Sequence, residues 1–223
     1  MAYPSEEYRL LSLFRFWNVI QYFFPYIDLM DRPWEEILAD FIPRFEQAAN
    51  ALDYNLTVME MVAAINDSHG FVYSPVFSEY IGSHSPPLEV RNIEGRTVVI
   101  RTKEDDTGDL SGIRPGDIVL GVDDENIEER KENLGRYFAS STPQALELKI
   151  HQNLLRGAEG SKAKIKYLTE TGEIREGILK RTERYFMGRR TTPVYEVLPE
   201  GFGYMDLARL QIGEVEEAFE TVR

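Results

Sequence analysis

Cysteine is absent from this sequence of 223 residues. Its absence excludes disulfide bonds, thiolate metal sites and a cysteine nucleophile, and it leaves the redox compartment undefined. Histidine is scarce as well, since the chain contains only His69, His84 and His151. Any chemistry that requires an imidazole from this chain must therefore use one of these three side chains.

Basic residues are few, with 25 Lys and Arg against 38 Asp and Glu and a formal net charge of −13. A chain this negative is repelled by nucleic-acid backbones and anionic lipids, which disfavours both as main partners. The acidic runs 104–106 and 123–125 lack the ligand spacing of a calcium loop, so we predict solvated turns, no metal and no cofactor. One patch of basic residues is too small to indicate nucleic-acid binding. It consists of Arg181, Arg184, Arg189 and Arg190.

Long apolar runs are also missing. The segment Leu10–Tyr26 is interrupted by Arg15, Asn18 and Gln21 and is closed by Pro25, so it falls short of the roughly 20 apolar residues that a membrane span requires. We interpret it as a core helix and predict no membrane span in this chain. The N-terminus has no basic region followed by an apolar core, so no signal peptide is predicted here.

Helical periodicity dominates the first eighty residues. Apolar side chains within 8–24 and within 34–45 recur at the spacing of one helical face. A third helix is predicted to begin near Asn55 or Thr57, either of which has a side chain suited to an N-cap. These patterns predict a helical N-terminal domain over residues 1–82.

The pattern changes at the linker Ser83–Pro87, where two prolines exclude both helix and central strand and where we expect His84 to be solvated. From Leu88 onward, apolar and polar residues alternate as in half-buried strands. One further helix is predicted from Pro143. We assign a second domain to residues 86–182.

The last part of the chain, residues 183–223, is predicted to contain a linker, a buried strand at 201–207 and a helix at 214–223. This helix has no stop signal, so we expect the chain to be a fragment of a longer protein. The predicted fold class is α+β: a helical segment, a domain of strands and helices, and the first strand and helix of an incomplete core.

One motif in the second domain is specific. The run Gly112-Ile113-Arg114-Pro115-Gly116-Asp117-Ile118 resembles the glycine–aspartate signature of PDZ domains. The resemblance implies a partly open β-barrel with helices, which binds peptide chain ends by strand addition beside a helix. His151, on the predicted helix, either faces the peptide or lies on the surface, and the loop Glu128–Ser141 is longer than usual in the family. By this resemblance, the residues of the groove are Leu88, Glu89, Val90 and His151.

The order of the whole chain resembles the tail-specific, or C-terminal processing, serine peptidases, which include the tricorn core peptidases. Three passages carry the resemblance: LFRFWNVIQYFFPY at 13–26, INDSHGF at 65–71 and GFGYMDL at 201–207. The resemblance implies an N-terminal helical segment, a PDZ-like domain and the start of a catalytic core. It also implies a periplasmic, envelope-associated or secreted protein.

The tricorn-like resemblance implies catalytic roles for two residues. His69 would be the general base for a serine nucleophile, and Ser68 would link it to an acidic residue further along the chain. The nucleophile lies downstream in that family, and no G-x-S-x-G elbow occurs in this sequence. Two alternatives remain: the Ser68-His69 pair only caps a helix end, or a serine–lysine mechanism places both catalytic residues downstream.

The sequence thus predicts a fragment of a serine-type endopeptidase that cleaves peptide bonds in unfolded or tagged proteins and is inactive alone. Its PDZ-like domain would hold the chain end of a protein or peptide substrate. The alternative, from a different functional class, is a non-enzymatic PDZ-type adaptor that binds peptides. Neither prediction specifies an oligomeric state.

Overall fold

The fold is α+β, which confirms the predicted class, and the computed structural model describes residues 3–102, 111–182 and 192–223. The chain divides into two compact units, Met1–Met187 and Gly188–Arg223. The acidic run 104–106 and the arginines Arg184, Arg189 and Arg190 lie outside the described residues. The boundary between a helical domain and a sheet domain near residues 82–86 stays a prediction.

The described residues before Gly82 form four α-helices joined by short segments. They are α1 (Glu6–Phe23), α2 (Trp34–Gln47), α3 (Ala51–Ala63) and α4 (Pro75–Ile81), with a 3-10 turn at Ile27–Leu29. Large apolar side chains from α1, α2 and α3 share one core, which includes Leu13, Trp34, Phe41, Phe45 and Met61. Within the described residues, no helix combines the length and apolar character needed to cross a membrane.

A buried arginine ties α1 to the end of α2. Arg9 donates from Nε to the carbonyl oxygen of Phe45 at 2.7 Å and from Nη2 to that of Glu46 at 2.7 Å. These carbonyl groups lie in the last turn of α2, where a helix cannot supply its own donors. The Arg9 guanidinium therefore donates hydrogen bonds to carbonyl groups that would otherwise lack a donor. It also lies at the C-terminal end of the helix, where the helix dipole favours positive charge.

Helix α3 begins one turn earlier than predicted. Its N-cap is Asn50, whose side-chain oxygen accepts from the Asp53 N–H at 3.0 Å. Asn55 is instead buried, donates to the Ala51 carbonyl at 2.7 Å and accepts from the Ser74 hydroxyl at 2.7 Å. The prediction failed because Asn50 and Asn55 both carry a capping side chain, and local sequence does not show which one is drawn into the core.

The second half of the first unit is an antiparallel sheet. Its strands are β1 (Leu88–Ile93), β2 (Arg96–Thr102), β3 (Ile118–Val122), β4 (Glu125–Asn126), β5 (Lys162–Leu168) and β6 (Ile174–Lys180). The order across the sheet is β1-β2-β3-β5-β6, with β4 paired to β3. Strands β1 and β6 are therefore the edges of the sheet formed by the described residues.

The PDZ-like signature forms the turn that launches β3. Gly116 has a φ of 99°, which L side chains rarely adopt, and its N–H donates to the Val99 carbonyl at 2.8 Å. Asp117 is buried and accepts from the Arg114 N–H at 2.8 Å. The glycine and the aspartate thus close the turn and direct the chain into a core strand.

Two helices cover this sheet. Helix α5 (Ile127–Gly135) contacts β3, and helix α6 (Pro143–Asn153) contacts β1. Helix α6 begins at Pro143 as predicted. The segment Glu128–Ser141 was predicted as a long loop, but its first half belongs to α5. The two apolar residues that α5 buries, Ile127 and Leu134, are one heptad apart in a charged stretch, a pattern too sparse to indicate a helix.

The chain between α4 and β1 pairs with the segment between α6 and β5 and is not a solvated linker. His84 and Gly157 exchange backbone hydrogen bonds of 3.1 and 2.9 Å. The His84 side chain is mostly buried, and its Nδ1 lies 2.8 Å from Ser83 Oγ. The prediction of a solvated His84 is wrong because a distant segment pairs with this residue.

The second unit, considered by itself, is small. Strands β7 (Tyr195–Val197) and β8 (Gly203–Met205) pair antiparallel, and helix α7 (Val215–Val222) follows a 3-10 turn at Ile212–Glu214. Helix α7 contacts both strands and buries Ala218 completely. The predicted strand at 201–207 and helix at 214–223 are thus both present, with shorter bounds.

Candidate functional site

A tight turn after α3 presents His69. Asp67 organises this turn, because its Oδ1 accepts from the backbone N–H of His69 at 2.9 Å and lies 2.8 Å from His69 Nδ1. Its backbone carbonyl accepts from the Gly70 N–H at 2.9 Å. Asn66, with a φ of 55°, anchors the turn by donating from Nδ2 to Asp31 Oδ2 at 2.6 Å.

The imidazole of His69 is 95% exposed, whereas the side chain of Asp67 is 24% exposed. The backbone N–H of His69, and then its imidazole, lower the pKa of the Asp67 carboxyl below its ordinary value. An ionised carboxylate only accepts hydrogen bonds, so neutral His69 carries its proton on Nδ1. The lone pair of Nε2 is then directed away from Asp67, in the state that a general base requires.

Ser68 makes a different set of contacts. Its N–H donates to Ser141 Oγ at 2.8 Å, and its own Oγ accepts from the Ser141 N–H at 2.9 Å. Its carbonyl oxygen accepts from Lys149 Nζ at 3.1 Å. The contacts of Ser68 fix the turn to the segment before α6 and to α6 itself. Its role as a link between His69 and a distant acid stays a prediction.

The acid that contacts His69 was not singled out from the sequence. The resemblance implied an acidic residue further along the chain, but Asp67 lies two residues before the histidine. One signal was available, because aspartate commonly hydrogen-bonds the backbone N–H two residues on, as Asp67 does here. The Asp-x-His spacing is therefore compatible with the pair, but it does not by itself place the carboxylate against the imidazole.

An apolar pocket of about 260 Å³ begins at the residue after His69. Its wall includes Val62, Gly70, Val72, Phe77 and Phe138, which come from α3, α4, the segment between these two helices, and the segment between α5 and α6. Lys149 also lines the pocket and donates to the Ala139 carbonyl at 2.5 Å. The exposed imidazole thus stands beside a concave apolar surface.

A second groove lies between β1 and α6 and has a volume of about 500 Å³. The structure therefore brings together the strand and the helix that the PDZ resemblance pairs. Leu88 and Val90 are only 2% and 5% exposed and belong to the core of the sheet domain, so at these positions the strand offers backbone and not side chains. Glu89 pairs with Arg91 and Arg101. The residues that line the groove are Arg91, Asn92, Pro143, Gln144, Glu147, Leu148 and His151.

His151 lies at the floor of this groove and is 5% exposed, so a surface position is wrong. Its Nδ1 lies 2.7 Å from the Glu147 carbonyl oxygen, and its Nε2 lies 3.2 Å from Thr97 Oγ1. Because a carbonyl only accepts, Nδ1 carries the proton and Nε2 accepts from the threonine hydroxyl. Both ring nitrogens are used within the fold, where His151 joins α6 to β2. Its assignment to peptide binding stays a prediction.

Acidification should weaken the fold through His151. Burial lowers the pKa of His151 below its ordinary value of 6.5, against opposing effects of Glu147. A lowered pKa in the folded state stabilises the protein above the unfolded-state pKa, and this stability is lost as the pH falls through the folded-state pKa. Urea unfolding should therefore show stability declining below about pH 6.5. The decline should be smaller in His151→Gln, and an equal decline in that variant would contradict this origin.

Comparisons with known proteins bear on the fold. No family model and no curated protein matches the sequence. Among solved structures, mature CPAF superposes with a TM-score of 0.56 at 14% identity, covering 78% of this chain and 34% of CPAF. The chain therefore has the fold of part of CPAF and spans about a third of its length.

Two further solved structures are weaker likenesses. A photosystem II D1 C-terminal processing protease matches with a TM-score of 0.41 at 16% identity, over 81% of this chain and 45% of that one. A PDZ domain of a carboxy-terminal protease from Vibrio cholerae, solved with a peptide, matches with a TM-score of 0.28 at 17% identity. That match covers 44% of this chain and 91% of the domain.

Proposed function

We propose that this chain provides the general base and a peptide-binding groove of a serine-type endopeptidase of the tail-specific, tricorn-like group. The observation that carries the proposal is the Asp67–His69 pair, with a distance of 2.8 Å and an imidazole that is 95% exposed. A histidine that only capped a helix would not need a carboxylate on Nδ1. The pair is the orienting half of a catalytic triad.

The chemistry assigned to this pair is proton transfer. Asp67 holds His69 in the Nδ1–H tautomer, so Nε2 can take the proton from a serine hydroxyl as that oxygen bonds to the carbonyl carbon of the substrate. When the C–N bond breaks, the imidazolium returns the proton from Nε2 to the leaving amine. The resemblance places the serine downstream of these residues, and the chain itself has no G-x-S-x-G elbow.

Two further observations support the proposal. His69 lies between α3 and α4, ahead of the sheet domain, which agrees with the chain order of the resemblance drawn from the sequence although α4 intervenes. The fold likeness to CPAF over 34% of that chain also fits a protein in which these residues are followed by a larger core. We place the whole enzyme in the periplasm, the cell envelope or the extracellular space.

Substrate binding is assigned to the groove between β1 and α6. Strand β1 is an edge strand, so its outer backbone groups can pair with an extended peptide. Unfolded or tagged proteins supply such segments. Whether the groove holds a chain end or an internal segment depends on the loop before β1.

A cleavage assay tests the proposed function. The protein that contains this chain and its downstream core should release fragments from an unfolded, fluorescein-labelled casein, and a serine-directed fluorophosphonate should stop the release. The chain of 223 residues alone should release none. Peptide binding without cleavage by the longer protein would instead identify a peptide-binding adaptor.

Asp67→Asn should change the tautomer of His69. The amide of asparagine can donate to Nδ1, which would then accept and leave the proton on Nε2, the wrong state for a general base. Long-range ¹H–¹⁵N correlation spectra of this chain at alkaline pH should show mainly Nδ1–H in the parent protein and more Nε2–H in the variant.

A matched control for this measurement is Asp31→Asn. Asp31 binds Asn66 in the same turn, so the control removes the same charge nearby without touching the imidazole. It should leave the His69 tautomer unchanged. An equal tautomer ratio in the parent protein and in Asp67→Asn would show that Asp67 does not orient the base.

A further inference from the structure

The residues before β1 determine which part of a peptide the groove can hold. A peptide strand that runs antiparallel to β1 on its open edge, as β2 does on the other edge, ends beside the segment Ser83–Pro87. Proteins that capture a terminal carboxylate with backbone do so with several N–H groups that converge on it. The hydrogen-bond donors of this segment are therefore decisive.

Most of those donors are missing or already used. Pro86 and Pro87 have no N–H. The N–H of His84 donates to the Gly157 carbonyl at 3.1 Å, and the N–H of Leu88 donates to the Pro86 carbonyl at 2.7 Å. Of the six residues from Ser83 to Leu88, four thus have no N–H to offer a ligand, which leaves those of Ser83 and Ser85. Two N–H groups, one on each side of His84, are fewer than a carboxylate-binding loop directs at its ligand.

The charges near this segment do not replace the missing donors. Glu159, whose side chain is exposed, lies 3.7 Å from His84 Nε2 and adds a negative charge beside the segment. On β1, Arg91 lines the groove but pairs with Glu89 at 3.3 Å. A terminal carboxylate would meet repulsion from Glu159 and compete with Glu89 for Arg91.

The rest of the groove suits a peptide segment without a charged end. Leu148 and Pro143 give α6 an apolar wall, and Asn92 and Gln144 add neutral amide groups. Asn92 Nδ2 donates to Glu147 Oε2 at 2.9 Å, so the Glu147 carboxylate, which lines the groove, already has a hydrogen-bond donor within the protein. Apolar side chains and backbone pairing, not a terminal charge, are the interactions available here.

We infer that the groove binds an internal, extended segment of its substrate and does not select a free C-terminal carboxylate. This inference rests on the proposed peptide-binding function and replaces the expectation of chain-end binding drawn from the PDZ resemblance. An enzyme with such a groove would engage unfolded loops and internal regions of a protein as readily as its tail.

The test uses this chain and two libraries of random peptides, one displayed with a free C-terminus and one inserted between scaffold sequences. The best binder of each library is synthesised as the free acid, as the C-terminal amide and with Gly-Ser flanks on both sides. Fluorescence anisotropy then gives each Kd. We expect the three forms of a peptide to agree within about threefold.

Two variants assign the binding to the groove. Leu148→Lys places a charge on the groove wall, and Ile178→Lys places the same charge on β6, at the opposite edge of the sheet. The two side chains are comparably exposed, at 41% and 57%. Leu148→Lys should weaken all three peptide forms about tenfold or more, and Ile178→Lys should leave them unchanged.

The possible outcomes distinguish failure of the internal-segment inference from failure of the proposed peptide-binding function. A free acid that binds at least about tenfold tighter than its amide, with sensitivity to Leu148→Lys, would overturn the inference and keep the peptide groove. Lack of saturable binding by every form, or equal effects of the two lysine variants, would overturn the peptide-binding function itself.

Discussion

Replacing His69 by alanine should lower kcat/KM of the peptidase that contains this chain by about 10²–10⁴-fold, the usual value of a general base. The physical reason is that the variant removes the imidazole of this turn and leaves no equivalent base. The Asp67 carboxylate still accepts from the backbone N–H of residue 69 and has a lowered pKa, which makes it a weak base, and the Ser68 hydroxyl is bonded to Ser141. The measurement is steady-state cleavage of an unfolded substrate at neutral pH.

Stability provides the control for this prediction. The imidazole is 95% exposed, so its removal should change the free energy of unfolding by no more than about 0.5 kcal/mol. Ser68→Ala should cost less activity than His69→Ala, because Ser68 fixes the turn but does not carry the proton. A loss of thermal stability with unchanged turnover in His69→Ala would identify a capping histidine.

Gly82→Ala should destabilise the first unit by about 3 kcal/mol or more. A Cβ at this position would lie 2.0 Å from the carbonyl carbon of Gly157, and Gly82 has a φ of 83°. Gly157 cannot move away easily, because its backbone is hydrogen-bonded to that of His84 and it lies against the Arg181 side chain. Urea unfolding followed by circular dichroism measures the loss.

Gly95→Ala is the matched control for this variant. Gly95 has a similar φ of 79°, but a Cβ there would meet no atom within 4 Å. Its substitution should cost only the backbone strain, about 1–2 kcal/mol. If both variants lost the same stability, the close approach of Gly82 to Gly157 would not be what fixes the helices to the sheet.

Much of the fold follows from the sequence, because its signals are local. Periodic apolar residues identify α1 and α2, and Pro143 marks the start of α6. The Gly116-Asp117 turn identifies β3, since a positive φ and a side chain that bonds its own turn are encoded within a few residues. Such features do not depend on distant parts of the chain.

The features that sequence reasoning missed are set by distant contacts. The His84 side chain is mostly buried where Gly157 pairs with its backbone, and His151 is buried where Thr97 and the Glu147 carbonyl satisfy its two ring nitrogens. Gly157 and Thr97 lie far along the chain from these histidines, so the surrounding residues do not identify them; only Glu147, four residues before His151, is a local partner. Burial of a polar side chain depends on whether the fold supplies partners for it.

The candidate site was predictable only in part. His69 and the strand at Leu88–Val90 were identified through resemblance, but the side chains of Leu88 and Val90 proved to be core. The contact of Asp67 with His69 required the geometry of the turn, since the spacing alone allows a carboxylate that points away. The count of N–H donors in the segment 83–88 also required the structure, because only the two prolines are visible in the sequence.

The most direct test of the central claim is the rate at which a fluorophosphonate labels the catalytic serine of the longer enzyme. This small reagent does not need the peptide groove, so its rate reports how strongly the serine is activated. We predict that His69→Ala slows labelling by about 10²-fold or more and that Leu148→Lys leaves the rate unchanged. Labelling of His69→Ala at the parent rate would contradict the account, since it would assign activation of the serine to a base outside this chain.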